Sequence, residues 1–117
     1  MKKEYICGKN CPNYYKIDKS KLKENDVEFI KELSNIFKIF SDTTRLRIIC
    51  TILNDELRVS DICKLLEINQ TTISHQMKIL RDTKVVKYRR EGKEIYYSLK
   101  DEHVEQIILQ ALDHLVE

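Results

Sequence analysis

The sequence predicts a mainly helical chain with one small β-hairpin, on three observations. Glycine and proline are scarce, two and one in 117 residues, which leaves little irregular backbone. Apolar residues recur at helical spacing over most of the length. Only between Val85 and Leu99 does the pattern turn to β-branched and aromatic residues, on either side of Glu91-Gly92-Lys93.

Residues 1–24 are polar and Lys-rich, carry the single Pro12, and read as an N-terminal arm preceding a domain over 25–117. From Val27, the residues Phe29, Ile30, Leu33, Ile36, Phe37 and Phe40 define a first helix. Ser41 and Asp42 offer N-caps for a second, with Leu46, Ile49, Ile52 and Leu53 as its apolar stripe. A short third helix fits Ser60 to Glu67, with Ile62, Leu65 and Leu66 inward. Asn69 caps a fourth, running through Ile73, Met77, Ile79 and Leu80 to about Asp82. The last begins near Asp101, and Val104, Ile107, Ile108, Ala111, Leu112 and Leu115 hold the helical period throughout.

Two short helices joined by a tight turn at Glu67-Ile68-Asn69 are a helix-turn-helix, and the hairpin behind them makes it a winged one. The net charge of +2 is uninformative, but its distribution is not. From Gln70 to Lys93 seven basic residues face two acids, whereas from Asp101 onward there are five acids and no Lys or Arg. On the fourth helix Gln70, Thr71, Thr72, Ser74, His75, Gln76 and Lys78 are the side-chain types that bond base edges and phosphates, with Gln70, Thr71, Ser74, His75, Gln76 and Lys78 expected to be exposed. Arg89, Arg90 and Lys93 surround the hairpin turn, where cationic side chains straddle a minor groove or its phosphates. The expected partner is double-stranded operator DNA.

The last helix has a second pattern. His103 and His114 are eleven residues apart, so they share a face about 16 Å apart along the axis. One chain cannot bring them together, but two copies packed antiparallel about a twofold axis can. Asp101 and Glu117 have a midpoint of 109 and the two histidines one of 108.5, so both pairs focus on one symmetry centre. This predicts a homodimer with two equivalent sites, each with Asp101 and His103 from one chain and His114 and Glu117 from its mate. Two imidazoles and two carboxylates suit Zn²⁺, with Co²⁺ or Ni²⁺ as alternatives.

The chain resembles the ArsR/SmtB family of metal-responsive repressors. The likeness rests on Phe40-Ser41-Asp42 with Thr44-Arg45-Leu46-Arg47-Ile48, Glu56-Leu57-Arg58-Val59-Ser60-Asp61-Ile62, Thr72 through Leu80, and Arg90-Glu91-Gly92-Lys93 with Tyr96-Tyr97-Ser98-Leu99. The resemblance implies a homodimer, joined through its N- and C-terminal helices, that binds an operator as apoprotein and releases it on metal binding. Among the branches, the cadmium, lead and zinc sensors are the most similar, and the family's last-helix zinc site is matched at all four positions. Cys7 and Cys11 match the two arm thiolates of that branch. Its two further thiolates fall on Arg58 and Ser60 here, and a guanidinium repels a cation, so Cd²⁺ and Pb²⁺ fit less well. Cys63 matches one cysteine of the arsenic-sensing branch, without that site's two partners.

Cys7 and Cys11 remain candidates for a secondary metal or redox site, and a repressor of the same fold triggered through them, by thiol oxidation or a soft metal, is the alternative reading. Cys50 and Cys63 have apolar neighbours and are expected to be buried small hydrophobes. No nucleophile elbow or Gly-rich phosphate loop points to an enzyme. No run of about 18 apolar residues suggests a membrane span, and no signal-like stretch opens the chain, so a cytoplasmic protein is expected.

Overall fold

The computed structural model describes residues 17–23 and 27–117, which divide between Ile39 and Phe40 into two compact units. In the first unit, Asp18 caps a single 3-10 turn, Lys19–Lys21, by accepting from the Ser20 amide at 3.1 Å. Helix α1 follows, Glu28–Phe40. Its Phe29 is buried, whereas Ile30, Leu33, Ile36 and Phe37 are 39–56% exposed.

The second unit holds α2 (Thr43–Thr51), α3 (Val59–Leu66), α4 (Gln70–Asp82), strands β1 (Val86–Glu91) and β2 (Glu94–Leu99), and α5 (Glu102–Leu115). Asp42, not Ser41, is the N-cap of α2, its Oδ2 accepting from the Arg45 amide at 3.0 Å. At the start of α3 the Asp61 carboxylate accepts from the Arg58 amide at 3.1 Å, satisfying a donor that the helix itself leaves unpaired. Glu67 then enters the left-handed region (φ 55°) and ends α3, and Asn69 caps α4 by accepting from the Thr72 amide at 2.8 Å. These two devices, two residues apart, make the turn of the helix-turn-helix.

The strands pair antiparallel from Val86↔Leu99 to Glu91↔Glu94, leaving Gly92-Lys93 as a two-residue turn. Gly92 takes φ +63° and Lys93 does not have a positive φ, the requirement of a type II′ hairpin. Leu57 adds a one-residue third strand, exchanging backbone hydrogen bonds with Tyr97 at 2.9 and 2.7 Å.

Ile48, Ile49, Ile52, Ile62, Ile73, Met77 and Leu80 form the centre of the core, each at most 1% exposed. Val85, Val86, Tyr97 and Leu99 seat the hairpin on it, and Val104 and Ile108 bring in α5, which packs on β2. One expectation for the core is corrected. Leu65 points outward at 64% exposure. At 100° per residue it lies about 60° to one side of buried Ile62 and Leu66 about 40° to the other, and the short helix rolls toward Leu66. On α5 only Val104 and Ile108 of the apolar stripe are buried, while Ile107, Leu112 and Leu115 are exposed.

Candidate nucleic-acid interface and metal half-sites

Helix α4 buries Ile73, Met77 and Leu80 and turns Gln70, Thr71, Ser74, His75 and Lys78 to solvent. Thr72 and Gln76 differ from these, being half-buried. Gln76, expected to be exposed, accepts at Oε1 from Arg45 Nε at 3.0 Å, which ties α4 to α2. With that oxygen engaged, bidentate reading of an adenine edge is better served by Gln70. Arg47 of α2 donates through Nη2 to the Leu66 carbonyl at 3.1 Å, satisfying one of the acceptors left over at the end of α3. Neither arginine's role was legible, because both partners lie far along the chain.

The three wing cations divide. Arg90 and Lys93 are exposed. Arg89, although half of its side chain is also open to solvent, is held in a network: Nε and Nη2 donate to the two Glu56 oxygens at 2.8 and 2.9 Å, and Nη1 to Glu91 at 2.7 Å. Its guanidinium lies over the Tyr96 ring, 4.8 Å from the centroid. The hydrogen bonds from Arg89 hold the Glu56 carboxyl below the usual carboxylate range, and the two carboxylates raise the Arg89 guanidinium in turn. At the base of the hairpin, Arg81 of α4 sits over Tyr88 at 5.5 Å.

On α5, Asp101 is the N-cap, and its Oδ1 accepts from the Val104 amide at 3.2 Å. Its other oxygen, Oδ2, lies 3.6 Å from His103 Nδ1. The Val104 hydrogen bond, more than the imidazole, keeps the Asp101 carboxyl below its ordinary value against the opposing effect of burial. At the far end of the helix His114 Nδ1 lies 3.8 Å from Glu117 Oε2. The imidazoles are open to solvent, with side chains 93% and 84% exposed. Each helix thus carries two two-residue groups at opposite ends, and among the described residues no three His, Cys, Asp or Glu side chains gather in one place.

Cys7 and Cys11 lie outside the described residues. Cys63 is half-buried, and Cys50, expected to be buried, is exposed on α2. Its neighbours Ile48, Ile49 and Ile52 take the inward positions and leave it on the opposite side of the turn. No helix among the described residues is long and apolar enough to cross a membrane.

Comparison with known proteins gives one answer. Residues 42–88, from the cap of α2 into β1, match the model of the bacterial regulatory protein, arsR family. A transcriptional repressor SmtB homolog of Synechocystis is 37% identical over 87 residues, 74% of this chain and 66% of that protein. A cadmium resistance transcriptional regulatory protein CadC homolog of Staphylococcus aureus is 40% identical over 71% of this chain and 69% of its own length. Among solved structures, the transcriptional regulator HlyU from Vibrio vulnificus superposes with a TM-score of 0.68 at 31% identity, covering 80% of this chain and 96% of that one. The helix-turn-helix with its hairpin wing and these relatives agree: the chain belongs to the ArsR/SmtB family of DNA-binding transcriptional regulators and is not an enzyme.

Proposed function

We propose that the chain is a metal-sensing repressor that binds operator DNA as an apo homodimer and is released by Zn²⁺, or a similar divalent ion, at the interface of the two last helices. The observation that carries this reading is the pair of half-sites on α5, Asp101–His103 and His114–Glu117, exposed at opposite ends of one helix. Each offers one imidazole and one carboxylate. Two such halves, one from each protomer, make the four-donor nitrogen and oxygen set that suits Zn²⁺ and admits Co²⁺ or Ni²⁺.

Between the half-sites, Ile107 and Leu112 are exposed in the single chain, at 37% and 40%, and α1 exposes a further apolar row. Apolar side chains at helical spacing favour burial against a second helix, and a twofold axis near residue 109 buries these while bringing His103 beside the partner's His114. Asp101 and His103 of one protomer with His114 and Glu117 of its partner would hold the ion, which when bound supplies a cross-link between the two helices. Gln70, Thr71, Thr72, Ser74, His75 and Lys78 would read or position the duplex from α4, and Arg90 and Lys93 from the wing. Release requires the ion to favour a dimer geometry unsuited to DNA, and a coupling of about 2.8 kcal/mol corresponds to a hundredfold loss of affinity.

The test is fluorescence anisotropy of an operator duplex, titrated with Zn²⁺, for the wild-type chain and His103→Ala. Release of the wild type but not of the variant is expected. Equal release of both, or release by Cd²⁺ alone, would move the sensor away from α5 and toward Cys7 and Cys11.

A further inference from the structure

Successive residues of a strand point to opposite faces, so Arg89 and Arg90 cannot serve the same surface of the wing. Arg89 shares its face with its cross-strand partner Tyr96, whose ring it covers. Tyr88 and Arg90 share the other, where Tyr88 meets Arg81 of α4. The wing therefore turns Arg90 toward the recognition-helix side and Arg89 toward the segment that precedes α3.

That segment grips both strands of the wing. Glu56 holds Arg89 of β1 through two hydrogen bonds at 2.8 and 2.9 Å. Leu57 pairs with the backbone of Tyr97 in β2. Arg58, already bonded to Asp61 at 3.0 and 3.1 Å, reaches Glu94 at the start of β2 at 3.7 Å. Three consecutive residues thus fasten the hairpin by charge, backbone and charge, and two of the three tethers end on the half of the wing nearest its turn. An isolated two-stranded hairpin is marginal in water; the core seats the base of this one through Val86, Tyr97 and Leu99, and these tethers hold its outer half.

We infer that Glu56-Leu57-Arg58 is a clasp that fixes the wing, and that Arg89 is a positioning residue within it and not a phosphate contact. The inference rests on the DNA-binding reading above. It separates two roles that look alike in the sequence: Arg90 and Lys93 meet the duplex, and Arg89 holds them where they meet it. Three Arg89 N–H groups and the face of its guanidinium are already occupied, so moving to a phosphate would break contacts of the same kind as it made.

Glu56→Gln is the discriminating variant, because the two roles predict opposite signs. Were Arg89 a phosphate ligand, removing the acid that competes for it would tighten DNA binding. As a clasp, the loss loosens the wing and weakens binding. The full chain is titrated against a duplex selected from random sequence, across a range of salt, for the wild type, Glu56→Gln, Arg89→Gln and Arg90→Gln. Expected are a loss of about three- to fivefold for Glu56→Gln and Arg89→Gln with the salt slope unchanged, and for Arg90→Gln a slope smaller by about 0.9 per phosphate lost. Hydrogen exchange of the β1 and β2 amides in the free protein is expected to quicken about three- to fivefold in the first two variants and not in the third. Tighter binding by Glu56→Gln, a reduced slope for Arg89→Gln, or unchanged wing exchange overturns the clasp. If the wild type binds no duplex, the proposed function fails, and the exchange rates alone decide whether the clasp holds the wing.

Discussion

Arg45 on α2 donates through Nε to Oε1 of Gln76 on α4 at 3.0 Å, joining the first helix of the second unit to the helix that carries the candidate reading residues. Both side chains are half-buried, so the bond is shielded from competing water. Arg45→Ala should lower the unfolding free energy by about 1 kcal/mol, the usual net contribution of a partly shielded hydrogen bond. A fall in the urea midpoint at constant slope is the expected readout, and an unchanged midpoint would show that Gln76 finds water equally good.

Asp101 does two things with its two oxygens, capping α5 with one and facing His103 with the other. The roles separate by substitution. Asp101→Asn keeps a good cap and should leave thermal stability within experimental scatter, whereas Asp101→Ala should cost about 1 kcal/mol. Both should weaken Zn²⁺ binding, which isothermal titration measures. If Asn restores stability but not metal affinity, the carboxylate charge is a ligand and more than a cap.

The pair of Arg58 and Asp61 gives acid sensitivity a direction. Hydrogen bonds from the Arg58 side chain and, next, its amide hold the Asp61 carboxyl below the ordinary 3.8. In acid the unfolded chain therefore takes up a proton here before the folded one does, and stability falls as pH drops through that interval. Above the ordinary value the contribution is fully present. Asp61→Asn should flatten part of this acid limb, read as a smaller difference between urea midpoints at neutral and strongly acidic pH.

Ile73 has no solvent exposure and sits at the centre of α4's buried face. Ile73→Ala should cost about 2–5 kcal/mol, a large part of what a domain of this size has to lose. Chemical denaturation monitored by circular dichroism checks it. A cost below 1 kcal/mol would mean the surrounding isoleucines collapse into the space.

Where a residue's role depends on its neighbours along the chain, the sequence discloses it. Asn69 and Asp101 are capping types ahead of periodic apolar runs, and α4 and α5 start immediately after them. Gly92 is the only residue near the turn that takes a positive φ without strain, and the hairpin folds about it. The histidine spacing on α5 is likewise a property of one helix. Roles that depend on distant partners were hidden. The Glu56 carboxylate that holds Arg89 lies 33 residues earlier, too far along the chain for a local pattern to pair them. The Arg45 guanidinium that engages Gln76 Oε1 is likewise 31 residues away. Cys50 and Leu65 follow from how a short helix rolls on its neighbours, and a roll of a few tens of degrees is beyond what apolar periodicity resolves.

The separation of charge along the fold has a kinetic consequence. The stretch from Gln70 to Lys93, which makes α4 and β1, carries seven cations against two acids, and the stretch from Asp101 onward, which makes α5, carries five acids and no Lys or Arg. A molecule so divided feels a torque in the field of a polyphosphate, which draws one part of it inward and pushes the other away before any contact forms. Collisions with a duplex are thus pre-aligned, and added salt should slow arrival more than it hastens departure.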